Sequence, residues 1–211
     1  MPTTPKTIEE EHKAILMTVG YALSRFSRIE NWLSILFAEV STIKSEQMAH
    51  VIMSSIVSVD ARLLVCHNTM LRSGVLKRHI NLWTPLYNAI SRAAKKRNEL
   101  AHFSVTMLTY RGKPSVMLDP YGSPGKFFQG KHNYLSLAEV TERAKHFDDL
   151  GDVIQWLSHD VAAWKGKRPK VHEPMPDLAR QLLQGQKTND QKNAKKKPPR
   201  RSSRASPRSQ K

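Results

Sequence analysis

Arg97-Asn98-Glu99-Leu100-Ala101-His102 groups residues whose types suit chemistry on an anion. A planar guanidinium can grip a phosphate through two parallel hydrogen bonds, and an imidazole can move a proton near neutral pH. Asn98 and His102 are four residues apart and share one face of a helix. Arg97 and His102 are five apart, about 140° around a regular helix, and do not stand side by side. Two routes bring them to one phosphate. The helix can end at His102, or a second copy of the helix can face the first across a two-fold axis, placing two arginines and two histidines in one cleft.

The segment stands out because of the helix that carries it. Leu86, Ile90 and Ala93 form one edge of an apolar stripe, and Trp83, Tyr87, Ile90 and Ala94 form the other. Both series reach Arg97 where an apolar residue is due. A charge on the buried side of a helix needs a partner or a wet cleft. Two ordinary roles compete with chemistry: Arg97 in an ion pair with Glu30 or Asp60, and His102 as a cation at a helix C-terminus, where the dipole favours it.

The positioning elements are read from periodicity. Thr7-Ile8-Glu9-Glu10 is a capping box, followed by the stripe Ile15, Val19, Ala22, Phe26, Ile29, Leu33, Leu36, Val40. A second helix is expected from Ser45, with Met48, Ile52, Ile56, Val59, Leu63, Cys66 and Met70 inward and Gly74 as its C-terminal cap. The third helix, carrying the motif, is expected to start between Leu76 and Trp83, with Pro85 as a point of interruption. Val105–Tyr110 and Ser115–Leu118, around Arg111-Gly112-Lys113-Pro114, read as a β-hairpin, and Asp119–Asn133 as a loop. Ser136-Leu137-Ala138-Glu139 opens a fourth helix with Val140, Ala144, Phe147, Leu150, Ile154, Leu157, Val161 and Trp164 inward. The expected class is all-α, an antiparallel four- to five-helix bundle with a small hairpin after the third helix. Residues 7–166 form the domain, 167–186 a linker with a short helix at Asp177–Gln184, and 187–211 a disordered basic tail.

Charge adds a partner class. The net charge is +16; Lys187–Lys211 holds ten Lys/Arg and one acid, which leaves +7 on residues 1–186. A basic domain suits a polyanion such as RNA. Lys95, Lys96, Arg111 and Lys113 are the expected RNA contacts, with Tyr110, Tyr121, Phe127, Phe128 and Tyr134 interleaved among the basic loop residues. The single cysteine, Cys66, rules out an intramolecular disulfide and reads as a small buried hydrophobe. No His-x3-His pair or cysteine cage points to a metal, no Walker pattern to a nucleotide cofactor, and His146-Phe147-Asp148-Asp149 reads as a solvated helix face beside a core phenylalanine. No cofactor is expected. No apolar run is long enough to span a membrane, and the expected setting is cytoplasmic.

The motif resembles the Arg-x4-His signature of the HEPN superfamily in its form Arg-Asn-x-x-Ala-His. Phe26-Ser27-Arg28-Ile29-Glu30-Asn31-Trp32-Leu33 resembles the Glu-containing first helix of such domains. The resemblance spans roughly residues 8–165. It implies a homodimer with the motif at the interface and metal-independent RNA cleavage by the 2′-hydroxyl. It further implies His102 in proton transfer, Arg97 on the scissile phosphate, Asn98 orienting one of them and Glu30, a lesser candidate, holding Arg97 or tuning the site. A toxin or defence role with an antitoxin partner belongs to the same implication, as does the alternative of a non-catalytic nucleotide- or RNA-binding or dimerisation module. Some toxin members continue as His-x-Tyr, the tyrosine being modified by a partner; Ser104 stands there in this chain.

Overall fold

The structure, a computed structural model, describes residues 7–43, 45–110, 113–120, 134–167, 169 and 174–185; of 107–110, 113–115 and 120 it describes the backbone. Of the loop expected at Asp119–Asn133, Asp119 and Pro120 are strand instead, paired with Ser104 and Phe103; residues 121–133 and the basic tail from Lys187 onward lie outside the described residues.

Helix α1 (Ile8–Val40) begins at the capping box, in which the Thr7 hydroxyl accepts from the Glu10 amide and the Glu10 carboxylate accepts from the Thr7 amide. Every residue of its expected stripe is buried, from Ile15 to Val40. The second expected helix is two. Helix α2 (Glu46–Ser55) stops at Ile56, and α3 (Val59–Arg72) restarts behind the cap of Ser58, whose hydroxyl accepts from the Ala61 amide. The break follows from local chemistry. Ser54 and Ser55 turn their hydroxyls onto the carbonyls of Val51 and Ile52, and Ile56-Val57-Ser58-Val59 is rich in β-branched residues, which favour extended backbone. The α3 half of the expected stripe is buried as Leu63, Cys66 and Met70. The α2 half turns, so that Ala49 and Met53 are buried while Met48 is exposed.

Gly74 (φ 74°) follows the α3 C-cap and immediately precedes α4 (Val75–Ala101), the left-handed turn that a glycine makes without Cβ strain. Helix α4 therefore starts earlier than expected and runs through Pro85 without interruption. Proline removes the hydrogen bond to the carbonyl of Asn81, four residues back. Asn81 is exposed, so water can replace the missing donor. Strands β1 (Phe103–Tyr110) and β2 (Lys113–Pro120) pair antiparallel with Tyr110 opposite Lys113. The hairpin lies on the bundle: Val116 and Leu118 are buried, the Val116 amide donates to Glu11, and Leu118 exchanges two backbone bonds with Leu135. Helix α5 (Leu137–Trp164) starts with the second capping box. Its expected stripe is buried up to Val161. Trp164, expected inward, is 45% exposed with Arg78 against its ring. A sixth helix, α6 (177–185), seats Ala179 in the core.

Side-chain contacts give the direction of each helix. Asp60 meets Ser91 and His67 meets Trp83, so α4 descends beside an ascending α3. His79 meets Asp160 and Glu99 meets Arg143, so α5 ascends beside α4. From α1 to α5 the helices alternate in direction, so α1 and α5 run parallel. Arg28 of α1 reaches Asp148 and Asp152 of α5, and Lys165 beyond the end of α5 donates to the last carbonyls of α1 at Glu39 and Val40.

Candidate functional site

The motif lies on the part of α4 that outruns α3. Ser91 of α4 is level with Asp60 in the first turn of α3, so the ten residues from Arg92 to Ala101, roughly 15 Å of helix, pass the start of α3 and run on beside α1. Arg97 lies in that overhang. Its guanidinium carbon is 6.0 Å from the centre of the Phe26 ring. Phe26 is fully buried and packs edge-on against Phe147, with ring centres 5.3 Å apart. The arginine therefore rests on the edge of the core, half-buried, as the stripe required.

The ionic partners open to Arg97 are engaged elsewhere. Glu30 pairs with Arg62 at 3.3 Å, and Arg62 also donates from Nε to the carbonyl of Ile56, at the end of α2. Asp60 accepts from the Ser91 hydroxyl at 2.8 Å. Among the described residues no carboxylate lies within 4.0 Å of Arg97, whose hydrogen bond goes from Nη1 to Asn98 Oδ1 at 3.1 Å. Glu30, expected to hold Arg97, instead ties α1 to the start of α3. The reason is the break at Ile56–Ser58, which brings Arg62 to its level.

His102 is the C-cap of α4. Its amide donates to the Asn98 carbonyl at 3.1 Å, and its backbone (φ −120°, ψ 52°) leaves the helix for β1. Asn98 and His102 are exposed. The structure thus brings Arg97 and Asn98 into contact and leaves the His102 ring facing solvent. Lys95 and Lys96 are exposed on the same turns, and the Lys96 carbonyl accepts from Arg143 at 3.4 Å. Lys113 is described only by its backbone, and Arg111 lies outside the described residues.

Several residues of weight were not singled out by sequence. Arg28 bonds Asp148 at 2.8 Å, Asp152 at 2.6 Å and Gln155 at 2.7 Å. Asp148, read as part of a solvated face, is a bridge between helices. Its partner lies 120 positions away, and no local pattern announces that. Cys66 is fully buried with its thiol against the Leu33 carbonyl, and burial pushes the thiol pKa up to about 12. Among the described residues no cluster of three His, Cys, Asp or Glu side chains gathers to hold a metal, and no helix is long and apolar enough to cross a membrane.

Comparison with protein-family models, curated proteins and solved structures returns no match.

Proposed function

We propose that this protein is a metal-independent endoribonuclease of HEPN type, with a composite site formed when two copies pair across the α4 overhang. What supports the reading is Arg97: a half-buried guanidinium with no carboxylate within reach among the described residues, on a helix that ends five residues later at an exposed histidine. Such a charge calls for an anion. In the proposed reaction the RNA 2′-oxygen forms a bond to the adjacent phosphorus while the bond from phosphorus to the 5′-oxygen breaks. His102 handles the proton of the 2′-hydroxyl and the proton that the departing 5′-oxygen needs. Arg97 holds the phosphate oxygens as negative charge develops on them, and Asn98 fixes the guanidinium through the bond already in place. The products are a 2′,3′-cyclic phosphate and a 5′-hydroxyl. RNA is the substrate class, a homodimer the working unit and the cytoplasm the setting; an antitoxin-like protein is a further partner in this reading.

Purified protein incubated with total RNA in EDTA is expected to cleave it, and His102→Ala to remove that cleavage. Mixing Arg97→Ala with His102→Ala chains is expected to restore part of it, because a mixed dimer rebuilds a site from the intact Arg97 of one chain and the intact His102 of the other. Cleavage by His102→Ala at the level of the unaltered protein overturns the assignment. A second reading rests on the separation of Arg97 from His102 within one chain: a non-catalytic phosphate- or RNA-binding module. RNA retention that is lost in Arg97→Ala, with no turnover by the unaltered protein, selects it.

A further inference from the structure

We propose that the cleft between α4 and α5 is a second anion site, which takes the phosphate group of a nucleotide or of an RNA strand independently of Arg97. The cleft has a volume of about 310 Å³ and is lined by Lys96, Leu135, Glu139, Glu142, Arg143 and His146. Ligand pockets begin at about 300 Å³, so one nucleotide unit is the scale of occupant it suits.

The charges around the cleft leave an opening for an anion. Arg143 is held by Glu99 at 2.8 Å. Glu139 is engaged in the α5 capping box, accepting from the Ser136 amide at 2.7 Å and from its hydroxyl at 2.8 Å. That leaves Lys96, with no carboxylate within 4.0 Å among the described residues, and His146, half-buried beside it, together with the exposed carboxylate of Glu142, which an anion must seat away from, on the Lys96 side of the cleft. Arg92 joins Lys96 on the α4 side. Glu142 and Asp149 act on His146 from α5 in the opposite sense. Burial is the largest influence on His146 and holds its pKa below the ordinary histidine value; Lys96 and Arg92 push the same way. A phosphate seated between Lys96 and His146 reverses that balance. It neutralises the local cations, accepts hydrogen bonds from both side chains and favours the imidazolium. Buried Leu135 supplies an apolar surface on the same wall.

The test follows the His146 ring signals by NMR in the full-length protein. Three probes are titrated in: inorganic phosphate, adenosine monophosphate and a 2′-O-methyl oligonucleotide, which lacks the attacking hydroxyl. A saturable movement of the His146 signals is expected, with its apparent pKa raised by about 1 at saturation. Lys96→Met should weaken the response roughly tenfold, and Arg97→Met should leave the response to inorganic phosphate unchanged. Tighter response to the mononucleotide marks the site as a nucleotide pocket; tighter response to the oligomer marks it as part of a strand path; both sustain the proposal. No saturable movement with any probe, an unchanged response in Lys96→Met, or loss of the inorganic phosphate response in Arg97→Met overturns it. The cleavage reading stands or falls separately, on the EDTA assay.

Discussion

Replacing Arg97 by methionine separates a functional arginine from a structural one, and Arg62 provides the comparison. Met keeps an unbranched apolar stem out to about the position of the arginine Nε and removes the guanidinium and its charge. At position 97 the loss is one contact with the Phe26 ring at 6.0 Å and one hydrogen bond to an exposed Asn98. At a half-exposed position these are worth about 0.5–1 kcal/mol each. The gain is an apolar, polarizable chain on the edge of a buried aromatic pair, about 1 kcal/mol for half-burial plus a sulfur–ring contact of about 0.3–1.5 kcal/mol. The balance runs from a loss of about 0.7 to a gain of about 1.5 kcal/mol, so the melting temperature should fall by no more than roughly 3 °C. At position 62 the same change breaks a largely shielded pair, with side chains 15% and 22% exposed, leaves Glu30 unpaired and removes the donor to the Ile56 carbonyl. That should cost about 2–3 kcal/mol, a drop of roughly 4–12 °C. Cleavage should show the reverse order. Arg97→Met should lower kcat/KM by roughly 10²–10³, while Arg62→Met keeps most of its activity below its melting temperature. Thermal unfolding followed by circular dichroism, with the EDTA cleavage assay on the same samples, decides it. If Arg97→Met melts well below the unaltered protein and its cleavage falls only with the folded fraction, Arg97 is a structural residue and the reasoning fails.

Arg28→Met should destabilise the fold by about 1–2 kcal/mol, a discounted figure for side chains one-third to one-half exposed; a denaturant midpoint reads it, and no change would mean that the α1–α5 bridges are idle in solution. Burial, the largest influence, holds the pKa of His79 below the ordinary histidine value against the opposing pull of Asp160, and its Nε2 has no hydrogen-bond partner among the described residues. Its stabilising effect is therefore present above the unfolded histidine pKa, about 6.5, and is lost as the pH falls through the lower folded value. Melting temperature plotted between pH 7.5 and 5 should fall less steeply for His79→Gln, and parallel curves would exclude the residue. Cys66, with its thiol pKa near 12 and no exposed surface, should resist a thiol reagent at neutral pH until the protein unfolds; labelling at the rate of a free thiol would show that the core opens readily.

Most of the helical frame was legible in the sequence because its signals are local. Both capping boxes and the whole α1 stripe appear where periodicity put them, and Gly74 takes its left-handed turn. The break between α2 and α3 was missed because the apolar spacing runs on through Ile56 and Val59 while the serine hydroxyls bond the backbone behind them. The unbroken course through Pro85 was missed because it depends on which way Asn81 faces, a property of the packed bundle. At the candidate site, the half-buried position of Arg97 was legible from the stripe alone. The engagement of Glu30 by Arg62 was not, since it needs α3 to restart at the level of Glu30.

Sequence alone determined the residue types at 97, 98 and 102, their spacing, and the placement of a charge on an apolar helix face, because a helix has one period and its caps act within four residues. Tertiary structure alone decided that α4 outruns α3, that Glu30 and Asp60 are bound to other side chains, and that Arg97 faces no carboxylate among the described residues. Those facts depend on which helices end at the same level, and that is set by packing between segments far apart in the chain.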